Sequence, residues 1–98
     1  MDAAPDAPDA PESEILRRFF SADGRLHTVP AKRSRRLLVL DHLAQRFEPG
    51  VEYAEADVNA ALEAVHPDYA ALRRYLVDEG FLSREANVYW RTGGSVTL

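Results

Sequence analysis

Lys32-Arg33-Ser34-Arg35-Arg36 is the densest basic run in the 98-residue chain. Guanidinium groups offer paired N–H donors that match phosphate oxygens, so four cations in five positions suit a phosphodiester backbone. A helix opening at this run would add backbone N–H groups that the helix itself leaves unsatisfied. Helical spacing limits the reading. Positions 32 and 36 share a face while 33 and 35 diverge, so the four cannot all meet one row of phosphates. The plain alternative is a solvated helix face whose arginines pair with nearby carboxylates, the acidic N-terminus included.

Other chemistry is sparse. Cysteine is absent, which removes disulfides, thiolate ligands and thiol nucleophiles. His27, His42 and His66 are far apart and form no H-x-x-x-H or H-E-x-x-H pair, so no metal role is expected. Glu52, Glu55, Asp57 and Glu63 include no residue pattern that implies a nucleophile or a pocket. Glu55 is better explained by the first turn of a helix, where a carboxylate meets the positive end of the dipole. Neither enzyme activity nor a cofactor is expected. Tyr69, Tyr75, Tyr89 and Trp90 could stack on bases of a single strand. Their spacing fits packing better, with Trp90 covering a seam between hairpin and helices.

Charge is arranged in blocks beneath a net −4 and a pI near 5.3. Residues 1–14 carry five acids and no base. Residues 15–36 carry seven bases against Asp23. Residues 37–72 reverse the sign with seven acids against Arg46, and residues 73–98 come out at +1. Such a chain can carry a basic face despite its acidic balance, and counterion release depends on local cation density rather than on pI. The N-terminus has neither a basic start nor an apolar run, and no stretch approaches the roughly 20 apolar residues of a bilayer span. A soluble, cytoplasmic protein with no membrane partner is the expectation.

The elements that must position these side chains can be read from apolar spacing. Residues 1–12 alternate Ala, Asp and Pro and are read as a disordered acidic tail. Residues 13–92 are read as one domain, and residues 93–98 as a flexible C-terminus. Ser13 is a candidate N-cap for a first helix carrying Ile15, Leu16, Phe19 and Phe20 on one stripe, stopped by Asp23-Gly24. Arg25 to Val29 reads as an edge strand closed by Pro30. A second helix runs from about Lys32 to Phe47, with Leu40, Leu43, Ala44 and Phe47 at i, i+3, i+4 and i+7. Tyr53 marks a very short extended piece. A third helix covers Glu55 to Val65. A fourth has Pro67 in its first turn, Asp68 at its positive end, and Tyr69, Leu72 and Leu76 as its buried stripe up to Gly80.

Phe81 to Arg84 and Val88 to Arg91 then form a hairpin around Glu85-Ala86-Asn87. A strand, two helices joined by a tight turn, and a hairpin follow in the order of a winged helix-turn-helix. The predicted architecture is therefore α+β and winged-helix-like, with about four helices and a C-terminal hairpin as the wing. Its core comprises Phe19, Phe20, Leu40, Leu43, Phe47, Val58, Leu62, Leu72, Leu76 and Trp90. In this frame Arg74 points outward from the fourth helix toward a DNA groove, near His66 and Asp68, while Arg73 sits at the edge of the apolar stripe. The N-terminal half of that helix, where base-reading side chains usually stand, is poor in donors. Arg73 or Arg74 could instead tie the fourth helix to Glu55, Asp57 or Asp78. Arg84 and Arg91 flank the wing and would meet phosphates there, or serve as exposed cross-strand charge.

Several pieces resemble, in order and spacing, a bacterial family of uncharacterised domains found alone or behind a helix-turn-helix regulator domain. They are Asp23-Gly24-Arg25-Leu26, Val29-Pro30-Ala31-Lys32, Val39-Leu40 with Phe47, Tyr53-x-Glu55-x-x-Val58-Asn59, Asp68-Tyr69-x-x-Leu72-Arg73-Arg74 and Tyr89-Trp90-Arg91. The resemblance spans about residues 15–92 and implies a winged-helix-type module associated with transcription regulation, with no settled activity. Position 54 departs from it, being alanine where the family often has a hydroxyl residue. An alanine N-cap costs about 1 kcal/mol relative to Ser or Thr. The expected function is binding of double-stranded DNA through Lys32, Arg33, Arg35, Arg36, Arg74, Arg84 and Arg91, with a homodimer supplying a second half-site. The alternative is a protein-interaction or dimerisation domain that contacts no nucleic acid, supported by the acidic third helix.

Overall fold

In the computed structural model residues 12–95 are described. The tail read over residues 1–12 lies outside them except for its last residue, as do residues 96–98. The elements run α1 (Glu12–Arg17), α2 (Arg33–Ala44), β1 (Glu52–Ala54), α3 (Glu55–Glu63), α4 (Tyr69–Asp78), β2 (Leu82–Glu85) and β3 (Val88–Arg91). The three strands form one antiparallel sheet in the order β1-β3-β2. A helix, a strand, two helices and a hairpin whose return strand takes the sheet centre make an α+β, winged-helix-like fold. No helix among the described residues is long and apolar enough to cross a membrane.

The N-terminal part departs most from expectation. α1 is a six-residue helix beginning at Glu12, ahead of the expected cap. Ile15 is buried, while Leu16, Phe19 and Phe20 only lean on the core. The expected strand over residues 25–29 reduces to one bridge between Phe20 and Leu26. The Leu26 N–H donates to the Val65 carbonyl at 2.9 Å, and Arg25 reaches the Ala64 carbonyl at 3.0 Å. This segment is thus anchored to the end of α3 rather than to a sheet, which leaves it no ladder to extend.

The core lies among α2, α3, α4 and the inner sheet face. Leu40, Leu43, Phe47, Val58, Leu62, Leu72 and Leu76 are buried, joined by Val39, Val65, Leu82 and Tyr89. Each such side chain contributes about 1.5–3 kcal/mol through apolar burial. Trp90 is not among them. Alternation along β3 buries Tyr89 and turns Trp90 to the opposite face, where it is half-buried beside Glu52 and Ser83. The inner ring of the hairpin is therefore tyrosine, not tryptophan.

Local chemistry sets the ends of the later elements. Asp68 is the N-cap of α4 and accepts from the Ala71 N–H, so Pro67 precedes the helix instead of opening it. Ala54 caps α3 without a side-chain bond, yet the Glu55 N–H donates to the Asn87 carbonyl at 2.9 Å. The wing turn thus satisfies the first N–H of α3, a different group from the second or third that a hydroxyl at position 54 would accept. That turn is two residues, one shorter than expected, with Ala86 at φ 51° and Asn87 at φ 70°. Both positive values are those of a type I′ hairpin turn, which matches the twist of the flanking strands.

Candidate nucleic-acid interface

α4 and the hairpin enclose a depression of about 400 Å³ lined by Ala70, Arg73, Arg74, Val77, Asp78, Arg84 and Tyr89. Three guanidinium groups converge on it with a single carboxylate. Helical spacing accounts for one wall, because 70, 73, 74, 77 and 78 fall on one face of α4. Strand register accounts for the other. Arg84 on the edge strand pairs with Tyr89, so both project from the inner face, and Arg84 stands 5.8 Å from the Tyr89 ring centre. A shallower depression along α4 shares Ala70, Arg74 and Asp78 with the first and adds Ala71 and Tyr75. Arg74 and Arg84 are exposed and form no ion pair with a described residue.

A polar frame behind this face holds it together. The Tyr89 hydroxyl donates to the Glu55 carboxylate at 2.8 Å, and Arg73 donates to the Asn59 side-chain oxygen. Glu55 and Asn59 stand four residues apart, so they share one face of α3. Burial pushes the Tyr89 phenol above its ordinary value, and the bond to Glu55 adds to the rise. Arg73 thus links α4 to α3, through an amide rather than an acid. Tyr53 completes the frame, its hydroxyl accepting the Glu48 N–H at 2.7 Å and its ring set edge-on to Phe47. Sequence reasoning did not find the Tyr89–Glu55 or Arg73–Asn59 pairs. The i, i+4 spacing of Glu55 and Asn59, beside an alternating Tyr89, was the available signal.

The basic run at the start of α2 meets the other end of α4. Lys32 is the N-cap residue of α2 and is exposed. Arg33 closes on Glu79 with two bonds, Nε to Oε2 at 3.1 Å and a terminal nitrogen to Oε1 at 2.7 Å. The hydrogen bonds from Arg33 hold the Glu79 carboxyl below its usual range. Arg36 donates to the Pro30 and Ala31 carbonyls and lies 4.8 Å from the Tyr75 ring centre. Arg35 is half-buried. Tyr75, beside the Arg36 guanidinium, lines the shallow depression together with Arg74, and Asp78 lines both depressions.

Arg91 is apart from this face. It pairs with Leu82 at the base of the hairpin, the end remote from the turn. Its guanidinium donates to the carbonyls of Phe47 and Gly93, at 3.2 and 2.9 Å, and to that of Ser95. Asp41 receives the Ser95 N–H at 2.6 Å and its hydroxyl at 2.8 Å. Residues 93–95, expected to fray, are therefore fastened to α2. Gly93 permits this, because a Cβ there would come within 2.5 Å of the Gly80 carbonyl oxygen. His66 is occupied locally, its Nδ1 accepting the Asp68 N–H at 3.0 Å. Among the described residues no three His, Asp or Glu side chains gather as metal ligands would.

The fold is that of a small winged-helix-like domain, with Arg73, Arg74 and Arg84 gathered between α4 and the hairpin. Residues 25–91 match the family described as "Uncharacterized protein conserved in bacteria (DUF2087)", and the chain belongs to that family. No curated protein and no solved structure matches the chain.

Proposed function

We propose that the domain binds double-stranded DNA as a transcription-associated module, through the face formed by α4, the wing and the start of α2. The observation that carries this reading is the convergence of Arg73, Arg74 and Arg84 on one depression beside the would-be recognition helix. Arg74 and Arg84 contact phosphates, with Lys32 at the far edge. Arg73 acts chiefly by holding α4 in register. The N-terminal half of α4 offers Ala70 and Ala71, so the contacts favour backbone positioning over base reading. A single module of this size buries little surface, and a homodimer on two half-sites supplies the remaining affinity. The function is binding without catalysis.

A second reading, a protein-interaction domain, draws on α3. Its exposed residues Ala56, Asp57, Ala60 and Glu63 make a small-residue, acidic surface suited to a basic partner or a second copy. A salt titration separates the two. Duplex affinity falls with added salt at a log–log slope of about −3, for roughly three neutralised phosphates. Absence of duplex binding at low salt, with self-association by light scattering, selects the interaction reading.

A further inference from the structure

A separate groove runs between α1, the turn at Ser21–Gly24 and α2, and shares no residue with the basic face. Its volume is about 630 Å³, a size at which small-molecule sites are common. The floor is apolar. Leu16 and Phe20 are half-buried there, and the Phe20 ring meets the His42 imidazole with centres 5.0 Å apart. Arg17 and Arg46 stand on the rim, both exposed, and no carboxylate among the described residues lines the groove. Neither guanidinium forms a hydrogen bond or ion pair with a described residue. Arg46 bends over the turn, reaching within 4.0 Å of the space a Cβ on Gly24 would fill.

An open apolar floor flanked by two arginines that pair with no described residue attracts a molecule with a hydrocarbon body and an anionic end. Hydrocarbon on Leu16 and Phe20 leaves water, while a carboxylate accepts charge-assisted bonds from the two arginines. Residues 2–12 of the chain supply carboxylates but only Ala and Pro as apolar side chains, shorter than the hydrocarbon body proposed for the floor. We propose that this groove binds a small carboxylic acid with an apolar body, its carboxylate held between Arg17 and Arg46. The site is independent of the proposed DNA face.

Titration of the full-length, 15N-labelled chain with octanoate, and with octanol as its neutral counterpart, tests this by amide chemical shifts. Octanoate is expected to give saturable shifts at Ser21 to Gly24 and at His42. Octanol binds about tenfold more weakly, since a bond to a charged group is lost. Arg46→Gln weakens octanoate by about tenfold and leaves octanol unchanged, which also shows that the variant is folded. Equal affinity for acid and alcohol, shifts confined to other residues, or no shifts at millimolar octanoate would overturn the proposal. Groove amides that move with protein concentration alone would assign the groove to a second copy. Groove amides that move in a chain with Asp2, Asp6 and Asp9 changed to Asn would assign it to the N-terminal residues. Either result overturns the small-acid site.

Discussion

At the start of α2, four basic residues stand within five positions, and Arg33, Arg35 and Arg36 all have partners, Arg33 on Glu79 and Arg36 on two carbonyls and the Tyr75 ring. At the seam of α4 and the hairpin, Arg73 and Arg74 from the helix and Arg84 from the edge strand converge on one depression; Arg73 is bonded to Asn59 and Arg84 stands by the Tyr89 ring, while Arg74 pairs with no described residue. Density along a sequence thus measures how many cations are supplied. Helix phase, strand register and the nearest acceptors determine how many remain available. The α2 run ties α2 to α4 through Arg33 and Arg36, whereas the scattered arginines gather on one open depression.

This contrast can be broken most severely through Tyr89, whose ring underlies the seam. Tyr89→Ala should cost about 3–5 kcal/mol in urea unfolding, as for other buried aromatics, while Tyr89→Phe should cost about 1 kcal/mol through the lost bond to Glu55. A loss from Tyr89→Ala no larger than that from Tyr89→Phe would show that the ring does not brace the two elements. The α2 run should be indifferent to both changes.

Alkaline pH probes the same ring. The folded phenol titrates above its ordinary value of 10, so its contribution is fully present below that pH and is lost as pH rises through the folded value. Unfolding monitored by tyrosine absorbance should show this loss in the wild type and not in Tyr89→Phe. The wing turn offers a gain instead. Ala86 holds φ 51° at a position glycine occupies without strain, so Ala86→Gly should stabilise the domain by about 1 kcal/mol in thermal or urea unfolding.

The smallest effect belongs to α2. The Glu79 carboxyl titrates below its ordinary 4.5, so the Arg33 pair adds stability above that pH and loses it as pH falls through the folded value. Arg33→Ala should remove this acid-side dependence, read from acid unfolding midpoints, with little change in unfolding at neutral pH.

Much of this was legible from residue spacing. The helix, strand, two helices and hairpin follow from apolar repeats at Leu40 to Phe47, Val58 to Val65 and Leu72 to Leu76, closed by Pro49-Gly50 and Gly80. The α1 region was less so, because Phe19 and Phe20 fit a helical stripe equally well as residues of a loop leaning on α2. Parity misled at the hairpin: a segment of four β-prone residues does not say which of Tyr89 and Trp90 turns inward until β1 fixes the register. The seam itself depends on contacts across sequence. Arg84 beside Arg74, and Arg91 drawn away to the Phe47 carbonyl, follow from pairings that no local pattern states.

The central claim concerns which cations are available to a phosphate backbone, and a side-by-side salt titration tests it most directly. Duplex affinity would be measured against salt for Arg74→Ala/Arg84→Ala and for Lys32→Ala/Arg33→Ala. The seam variant should lose about two units of log–log slope and about 50-fold in affinity at ~0.1 M salt, and the α2 variant about one unit or less. Equal losses from the two variants, or a larger loss from the α2 pair, would contradict it.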